Sequence, residues 1–396
     1  MSTVSRPKTR YHISKRASHL SPSGIRKFFD LLASMEGVIS LGVGEPDFPT
    51  PWHIREAAID SIQKGYTMYT SNSGMPELRR ELARFLMRSY GVEYDPTVEL
   101  LITVGVSEAL DLAMRAVLDP GDEVIIPDPC FVAYGACVTL AGGKPVMIPT
   151  IEANGFEITA ADIEPHVTSR TRAILLGYPS NPTGAVMSRE KLCEIAELAR
   201  RRNLLVISDE IYAQLVYGVE HTCFASLPEM KESTILLGGL SKAYAMTGGR
   251  IGYAAGPKEI IAAMTKIHQY TIMSAPTMGQ VAAIEALKSG EAASSEMVEA
   301  YNRRRLVIVK GLCDIGLSCF EPKGAFYAFP SIKVSGMSSE EFSEKLLVEE
   351  KVAVVPGAAF GACGEGYVRC CYATSLSDIA EALLRMKRFL VRHAKG

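Results

Sequence analysis

The chain has 396 residues, more than one compact core readily serves, so two domains are expected. It is 47% hydrophobic and 22% charged with a net charge of −2, an ordinary globular balance with no electrostatic pull toward nucleic acid. No apolar run approaches the ~20 residues needed to cross a bilayer. Nine cysteines, an odd number without a C-x-x-C pair, argue against a disulfide framework or structural metal and for a reducing, cytoplasmic setting.

In chain order, the first 29 residues contain Arg, Lys and Ser but no acid, and Pro7 interrupts them. A transit peptide shares that bias, but no amphipathic helix emerges, so the stretch reads as a basic surface arm. Thr50–Pro51 reads as an N-cap with a first-turn proline, and Gly65 closes that helix. Leu78, Leu82, Phe85 and Leu86 mark one face of a helix from about Pro76 to Tyr90. Short apolar runs then alternate with helical patterns: Leu100–Val104, Glu123–Ile126, Ala173–Leu176, Leu204–Ile207, Ile235–Leu237 and Ile251–Ala255. That alternation predicts a parallel α/β sheet. A helix from about Glu190 to Arg202 turns Leu192, Ile195, Ala196 and Ala199 inward.

After about residue 285 the pattern changes to that of a smaller α+β unit. A long polar helix (Ala292 to Lys310) leads into strands near Gly324–Phe329, Val352–Val355 and Tyr367–Tyr372. A last helix carries Ile379, Leu383, Met386 and Leu390. Cys370 and Cys371, adjacent on a strand, point to opposite faces and read as small core residues.

In open parallel sheets, ligands bind beyond the carboxyl ends of the strands. Here the polar segments fall there: Gly105-Val106-Ser107, Asn181-Pro-Thr-Gly184, Asp209-Glu210-Ile-Tyr212, and Ser241-Lys242 followed by Gly248-Gly-Arg250. Singly, each has a plain structural reading. Asp209 serves as a helix N-cap, Asn181 as a turn residue, Lys242 as a solvated lysine and Arg250 as a weak surface ion-pair partner. Together they meet the needs of pyridoxal 5′-phosphate (PLP) chemistry. These are a lysine amine for the aldehyde, a carboxylate for the pyridine nitrogen, donors for the phenolate and a cup for the phosphate.

The run Gly239-Leu-Ser-Lys242-Ala-Tyr-Ala-Met-Thr-Gly248-Gly-Arg250-Ile-Gly252 resembles the PLP attachment signature of class I/II aminotransferases, fold type I PLP enzymes. The resemblance runs from about Ser21 to the last helix. It takes in Ser40-Leu-Gly-Val-Gly44-Glu-Pro-Asp-Phe48, Tyr69, Asn181-Pro-Thr-Gly, Ser208-Asp-Glu-Ile-Tyr212, Gly324-Ala-Phe-Tyr-Ala-Phe and Tyr367-Val-Arg369-Cys-Cys-Tyr.

The resemblance implies a large PLP domain over 46–285 with a mostly parallel seven-stranded sheet. A smaller α+β domain would then be built from 1–45 and 286–396. It makes Lys242 the Schiff-base lysine and proton-moving base, Asp209 the partner of the ring nitrogen, and Asn181 and Tyr212 donors to the phenolate. Phe131 falls where the family stacks an aromatic on the ring. Val106, Ser107, Ser241 and Arg250 would hold the phosphate, with Tyr69 reaching across to the neighbouring subunit of a homodimer. Arg369 would clamp the substrate carboxylate, helped by the Gly44 backbone.

The implied activity is transfer of an α-amino group from an aromatic, neutral or aspartate-like amino acid to a 2-oxo acid, with 2-oxoglutarate the expected acceptor and no metal. Carbon–sulfur β-lyases and aminocyclopropane-carboxylate synthases share this lysine and aspartate. A PLP-sensing transcription regulator would need a DNA-binding domain before the resemblance begins. One aspartate-selective branch of the family carries a lysine where this chain has Ser107, which points to neutral or aromatic side chains here.

Overall fold

The computed structural model describes residues 13–20 and 35–393. Among these, β1 (Ile39–Ser40) precedes seven strands that form one sheet: β2 (Leu100–Val104), β3 (Glu123–Asp128), β4 (Lys144–Pro149), β5 (Thr171–Gly177), β6 (Leu205–Asp209), β7 (Thr234–Gly239) and β8 (Ile251–Ala255). Their spatial order is β2-β8-β7-β6-β5-β3-β4, and β8 alone runs against its neighbours. The chain then supplies β9 (Tyr327–Ala328), β10 (Val352–Ala353), β11 (Val355–Pro356) and β12 (Val368–Cys371).

The central strands are apolar on both faces because helices cover both. Ile125, Ile174, Leu176 and Val206 pack in one cluster with Leu192, Ile195 and Leu198 of the Arg189–Arg202 helix. Val124, Ala173, Leu175 and Ile207 face the other way, onto Leu112 and Ala113 of the Gly105–Val117 helix and Ile261 and Met264 of the Lys258–Thr271 helix. Such continuous apolar strands are what a covered parallel sheet requires.

Register decides where the site lies. Gly177 pairs with Asp209, and Asp209 with Leu237, so β5 and β6 end level and β7 continues just beyond them to Gly239. Val104 pairs with Ile251, which brings the end of β2 beside Arg250 at the start of β8. The loops after four strands therefore share one rim.

The remaining strands build a separate, smaller framework. β1 pairs in parallel with β10, and β11-β12-β9 form an antiparallel sheet in which Val355 faces Arg369 and Tyr327 faces Cys371. Helices Glu291–Asp314, Ser339–Glu350 and Leu376–His393 cover it.

Most expected elements are present, with instructive differences. The Pro76–Tyr90 helix buries the four expected residues and ends on Gly91 in the left-handed region. β4 is not among the expected strands: five of its six residues are at least partly exposed, so it lacks the signal of a covered strand. Thr50 makes no cap; its hydroxyl donates to the Ala245 carbonyl at 2.6 Å, and the Trp52–Gln63 helix starts after Pro51. The expected Val352–Val355 strand is two two-residue strands in different sheets. The last helix buries Ile379, Ala382, Met386 and Phe389, with Leu383 and Leu390 at the edge of that stripe. Cys370 and Cys371 are both buried. Of the basic arm, residues 13–20 are described: a short helix, Lys15–His19, from which Arg16 donates to the Leu140 carbonyl. The rest of the arm lies outside the described residues.

Candidate active site

The rim encloses a cavity of about 450 Å³. Gly44, Val106, Ser107, Phe131, Asn181, Asp209, Tyr212, Ser241, Lys242, Arg250 and Arg369 all line it. Tyr69 does not line this cavity; it stands 81% exposed on the outer surface.

Asp209 ends β6 deep in the wall. Its Oδ2 accepts from the Tyr134 hydroxyl at 2.9 Å and its Oδ1 from the Ile211 amide at 3.2 Å. The second bond is the turn-holding contact that a purely structural aspartate would make. The first is not, and burial pushes the carboxyl up to about 6, against the pull of both donors. An ionisable group held that deep in a cavity wall marks a functional site more often than a structural one. Tyr134 reaches it because residue 177 is glycine: a Cβ there would lie 2.1 Å from the Tyr134 hydroxyl oxygen.

Lys242 leaves the end of β7 and its Nζ donates to the Gly44 carbonyl at 2.7 Å. Burial lowers its amine to about 8; Arg369 and Arg250 push the same way, and Glu45 opposes them. A lysine lowered this far is a nucleophile-in-waiting rather than a solvated surface charge.

At the third corner, the Gly105–Val117 helix points its N-terminus into the cavity without a side-chain cap at Val104. Its opening amides are free to bind an anion, and the helix dipole favours negative charge there. Gly105 sits at φ +71°, and a Cβ on it would fall 2.5 Å from Arg250 Nη2, so only glycine lets the guanidinium close on this helix end. Arg250 itself adopts φ 52°, a left-handed conformation unusual for a non-glycine residue. Ser107 and Ser241 add hydroxyls.

The fourth corner comes from the smaller framework. Arg369, on β12, donates to Asn181 Oδ1 at 2.9 Å and to the Gly42 carbonyl at 2.6 Å. It lies against the Tyr327 and Phe360 rings, and its buried Nε has no hydrogen-bond partner among the described residues. A buried guanidinium with donors to spare is costly unless an anion completes it. Because Asn181 spends its oxygen on Arg369, its amide nitrogen is left to donate into the cavity. Tyr212 and Tyr327 share a hydroxyl–hydroxyl bond of 2.7 Å, and a Cβ on Gly44 would lie 2.6 Å from the Tyr327 hydroxyl.

Sequence reasoning gave no role to Tyr134 or Tyr327. Tyr327 lies within Gly324-Ala-Phe-Tyr, but its contacts with Tyr212 and Arg369 need the two frameworks to meet. Tyr134 follows Phe131 by one helical turn and acts on a residue 75 positions away. Glu45 and Thr247, which also line the cavity, stand inside recognised motifs without an assigned part.

The donor set fits PLP: an anion cup at one end, a buried carboxylate, amide and phenol donors, and a lysine of lowered basicity. Comparison with known proteins agrees. Residues 36–386 match the family described as aminotransferase class I and II. The Bacillus subtilis protein YugH is 58% identical over 96% of this chain and 98% of its own length. An aspartate aminotransferase of Pyrococcus abyssi is 46% identical over 96% and 98%. The crystal structure of an aromatic aminotransferase from Pyrococcus horikoshii superposes with a TM-score of 0.89 at 44% identity, covering 93% of this chain and 99% of that one. With its fold, its cavity and this match along nearly its whole length, the chain belongs to the class I and II aminotransferases, on the fold type I framework.

Proposed function

We propose that this aminotransferase holds PLP in the cavity and moves the α-amino group of neutral and aromatic amino acids to a 2-oxo acid, with 2-oxoglutarate as the usual acceptor. The observation that carries this is the convergence of Lys242, Asp209, Asn181, Tyr212, Arg250 and Arg369 on one cavity. Bound there, PLP supplies an aldehyde that an amine can bond and a ring that takes up the electron pair left when the α-proton departs.

The chain's own residues do the rest. The Val106 and Ser107 amides, Ser107, Ser241 and Arg250 bind the phosphate. Asp209 holds a proton on the ring nitrogen, kept in place by Tyr134 and the Ile211 amide. Asn181 and Tyr212 donate to the phenolate oxygen, and Phe131 lies against the ring. Lys242 Nζ carries the cofactor at rest, then takes the α-proton and returns it. Arg369 and the Gly44 backbone hold the substrate carboxylate and so orient the bond to be broken.

Three cations line the cavity among the described residues: Lys242, Arg250 and Arg369. Each has a task above, and Ser107 is neutral where one aspartate-selective branch of the family carries a lysine. An aspartate side chain would therefore be desolvated without a partner. 2-Oxoglutarate is one methylene longer than aspartate, so its second carboxylate lies farther from the α-carbon.

Dimerisation fits the surface. Met68, Tyr69 and Tyr270 are 76%, 81% and 83% exposed, and hydrogen bonds from Thr277 to Met68 and from Asn72 to Met273 hold their segments side by side. Such an apolar patch suits a twofold partner, to whose site Tyr69 would reach. The large domain would span 46–285 and the small one both ends of the chain. Nine free cysteines suit the cytoplasm.

The test is a half-reaction screen of the PLP enzyme against single amino acids, followed by kcat/KM for phenylalanine, tyrosine, alanine and aspartate with 2-oxoglutarate. Conversion of the cofactor to its amine form is expected; release of pyruvate and ammonia from cysteine-type substrates would instead identify a β-lyase. A preference for aspartate above about a hundredfold, roughly 2.7 kcal/mol, would overturn the specificity drawn from Ser107.

A further inference from the structure

Behind the anion cup lies a buried pair that the proposed chemistry does not use. Glu108 stands in the first turn of the Gly105–Val117 helix, one residue after Ser107. Its Oε2 folds back to accept from the Val104 amide at 2.6 Å, and its Oε1 meets His268 Nδ1 at 2.7 Å. His268 comes from the Lys258–Thr271 helix, 160 residues later in sequence, and is fully buried. Its Nε2 has no hydrogen-bond partner among the described residues, so the ring makes one polar contact, and that contact is with Glu108.

A carboxylate in the first turn of a helix is drawn to the helix's own opening amides, the groups an anionic ligand must use. Glu108 is kept off them. One of its oxygens is spent on Val104, an amide of the strand end, and the other is held by a ring anchored in a different helix. Those two helices are packed rigidly together through Leu112, Ala113, Ile261 and Met264.

Resting on the reading of this corner as the PLP phosphate site, we infer that His268 is a positioning residue that restrains the Glu108 carboxylate and so keeps the helix N-terminus open for phosphate. Without His268 the carboxylate turns toward the Gly105–Ser107 amides and competes with the phosphate for them. The effect belongs to the phosphate end alone. It is relieved by removing the charge of Glu108, which a merely structural buried histidine would not show.

The experiment measures binding of PLP and of pyridoxal, which lacks the phosphate, to apoenzyme of the wild type, His268→Leu, His268→Asn, Glu108→Gln and the Glu108→Gln/His268→Leu double variant. His268→Leu is expected to weaken PLP ~tenfold, a size typical of favourable charge placement at a helix end, with pyridoxal unchanged. His268→Asn, which keeps a donor near the Nδ1 position, and the double variant are both expected within about threefold of wild type. An equal loss for PLP and pyridoxal, or a double variant as weak as His268→Leu, overturns the inference. Should His268→Leu not fold, Glu108→Gln decides: unchanged or tighter PLP binding supports the restraint, and a tenfold loss overturns it. Failure of the wild type to bind PLP at all would instead overturn the reading of the site.

Discussion

On the sheet side of the cavity, Asp209, Asn181 and Lys242 stand at or just beyond the carboxyl ends of neighbouring strands, and their positions follow from backbone register. On the opposite side, Arg369 comes from a three-stranded sheet of the smaller framework and is placed by contacts with distant segments: the Asn181 side-chain amide, the Gly42 backbone carbonyl and two aromatic rings. The first side starves its ionisable groups of solvent, raising Asp209 and lowering Lys242. The second surrounds a permanent cation with acceptors and ring faces and leaves it donors to spare. One wall shifts proton affinities and the other fixes geometry. Substitutions on the two walls should therefore fail in different ways.

The largest effect is expected on the sheet side. Lys242→Ala should lower turnover at least ~10⁴-fold while the protein stays folded and still binds PLP without a covalent bond. Borohydride reduction of the wild type followed by peptide mapping checks the assignment; label on another lysine would remove Lys242 from its place.

Asp209→Asn separates chemistry from turn-making at one residue. If the carboxylate only accepted from the Ile211 amide, asparagine would do so equally well and the rate would hardly move. A loss of about 10³-fold is expected, because a neutral amide cannot keep the ring nitrogen protonated. The same change has an opposite effect on the apoprotein. The Asp209 carboxyl is raised from 3.8 to about 6, so the folded state binds its proton more tightly than the unfolded chain. The wild type therefore loses stability as pH rises between those values and carries the full penalty above pH 6. Asp209→Asn escapes it and should be more stable by on the order of 2 kcal/mol at pH 7, the advantage vanishing toward pH 3.8. Denaturant unfolding of both apoproteins at several pH values measures this.

Across the cavity the expected loss is smaller and of a different kind. Arg369→Lys keeps the charge, but a compact ammonium lacks the planar fork that reaches Asn181, Gly42 and both oxygens of a carboxylate at once. kcat/KM should fall about 10²-fold, with the cofactor's spectrum and affinity unchanged. A matching loss of PLP affinity would show that the two walls are not separable as described.

The contrast also explains what could be read early. The sheet-side residues sit in short segments directly after apolar runs, so local pattern and strand topology suffice to group them. Arg369 and Gly44 were assigned only through a family resemblance, because nothing local shows that β12 will face Asn181. Tyr134 and His268 gave no signal at all. Nothing in the local pattern of either helix marks them, and the meaning of each depends on a carboxylate met across 75 or 160 positions. Thr50 shows the reverse: a proper local cap signal that tertiary contact with Ala245 overrode.

The layered α/β architecture, the rim on which the polar loops converge and the grouping of Lys242 with Asp209 on that rim are legible in the chain alone. Those depend on hydrophobic period and on strand ends, which are local properties of the chain. Only the tertiary structure decided which oxygen of Asp209 is held by Tyr134, how Arg369 orients Asn181, and that Glu108 is restrained behind the anion cup. Those depend on contacts between distant segments, whose energies appear only once the core has packed and water has been excluded from around the charges.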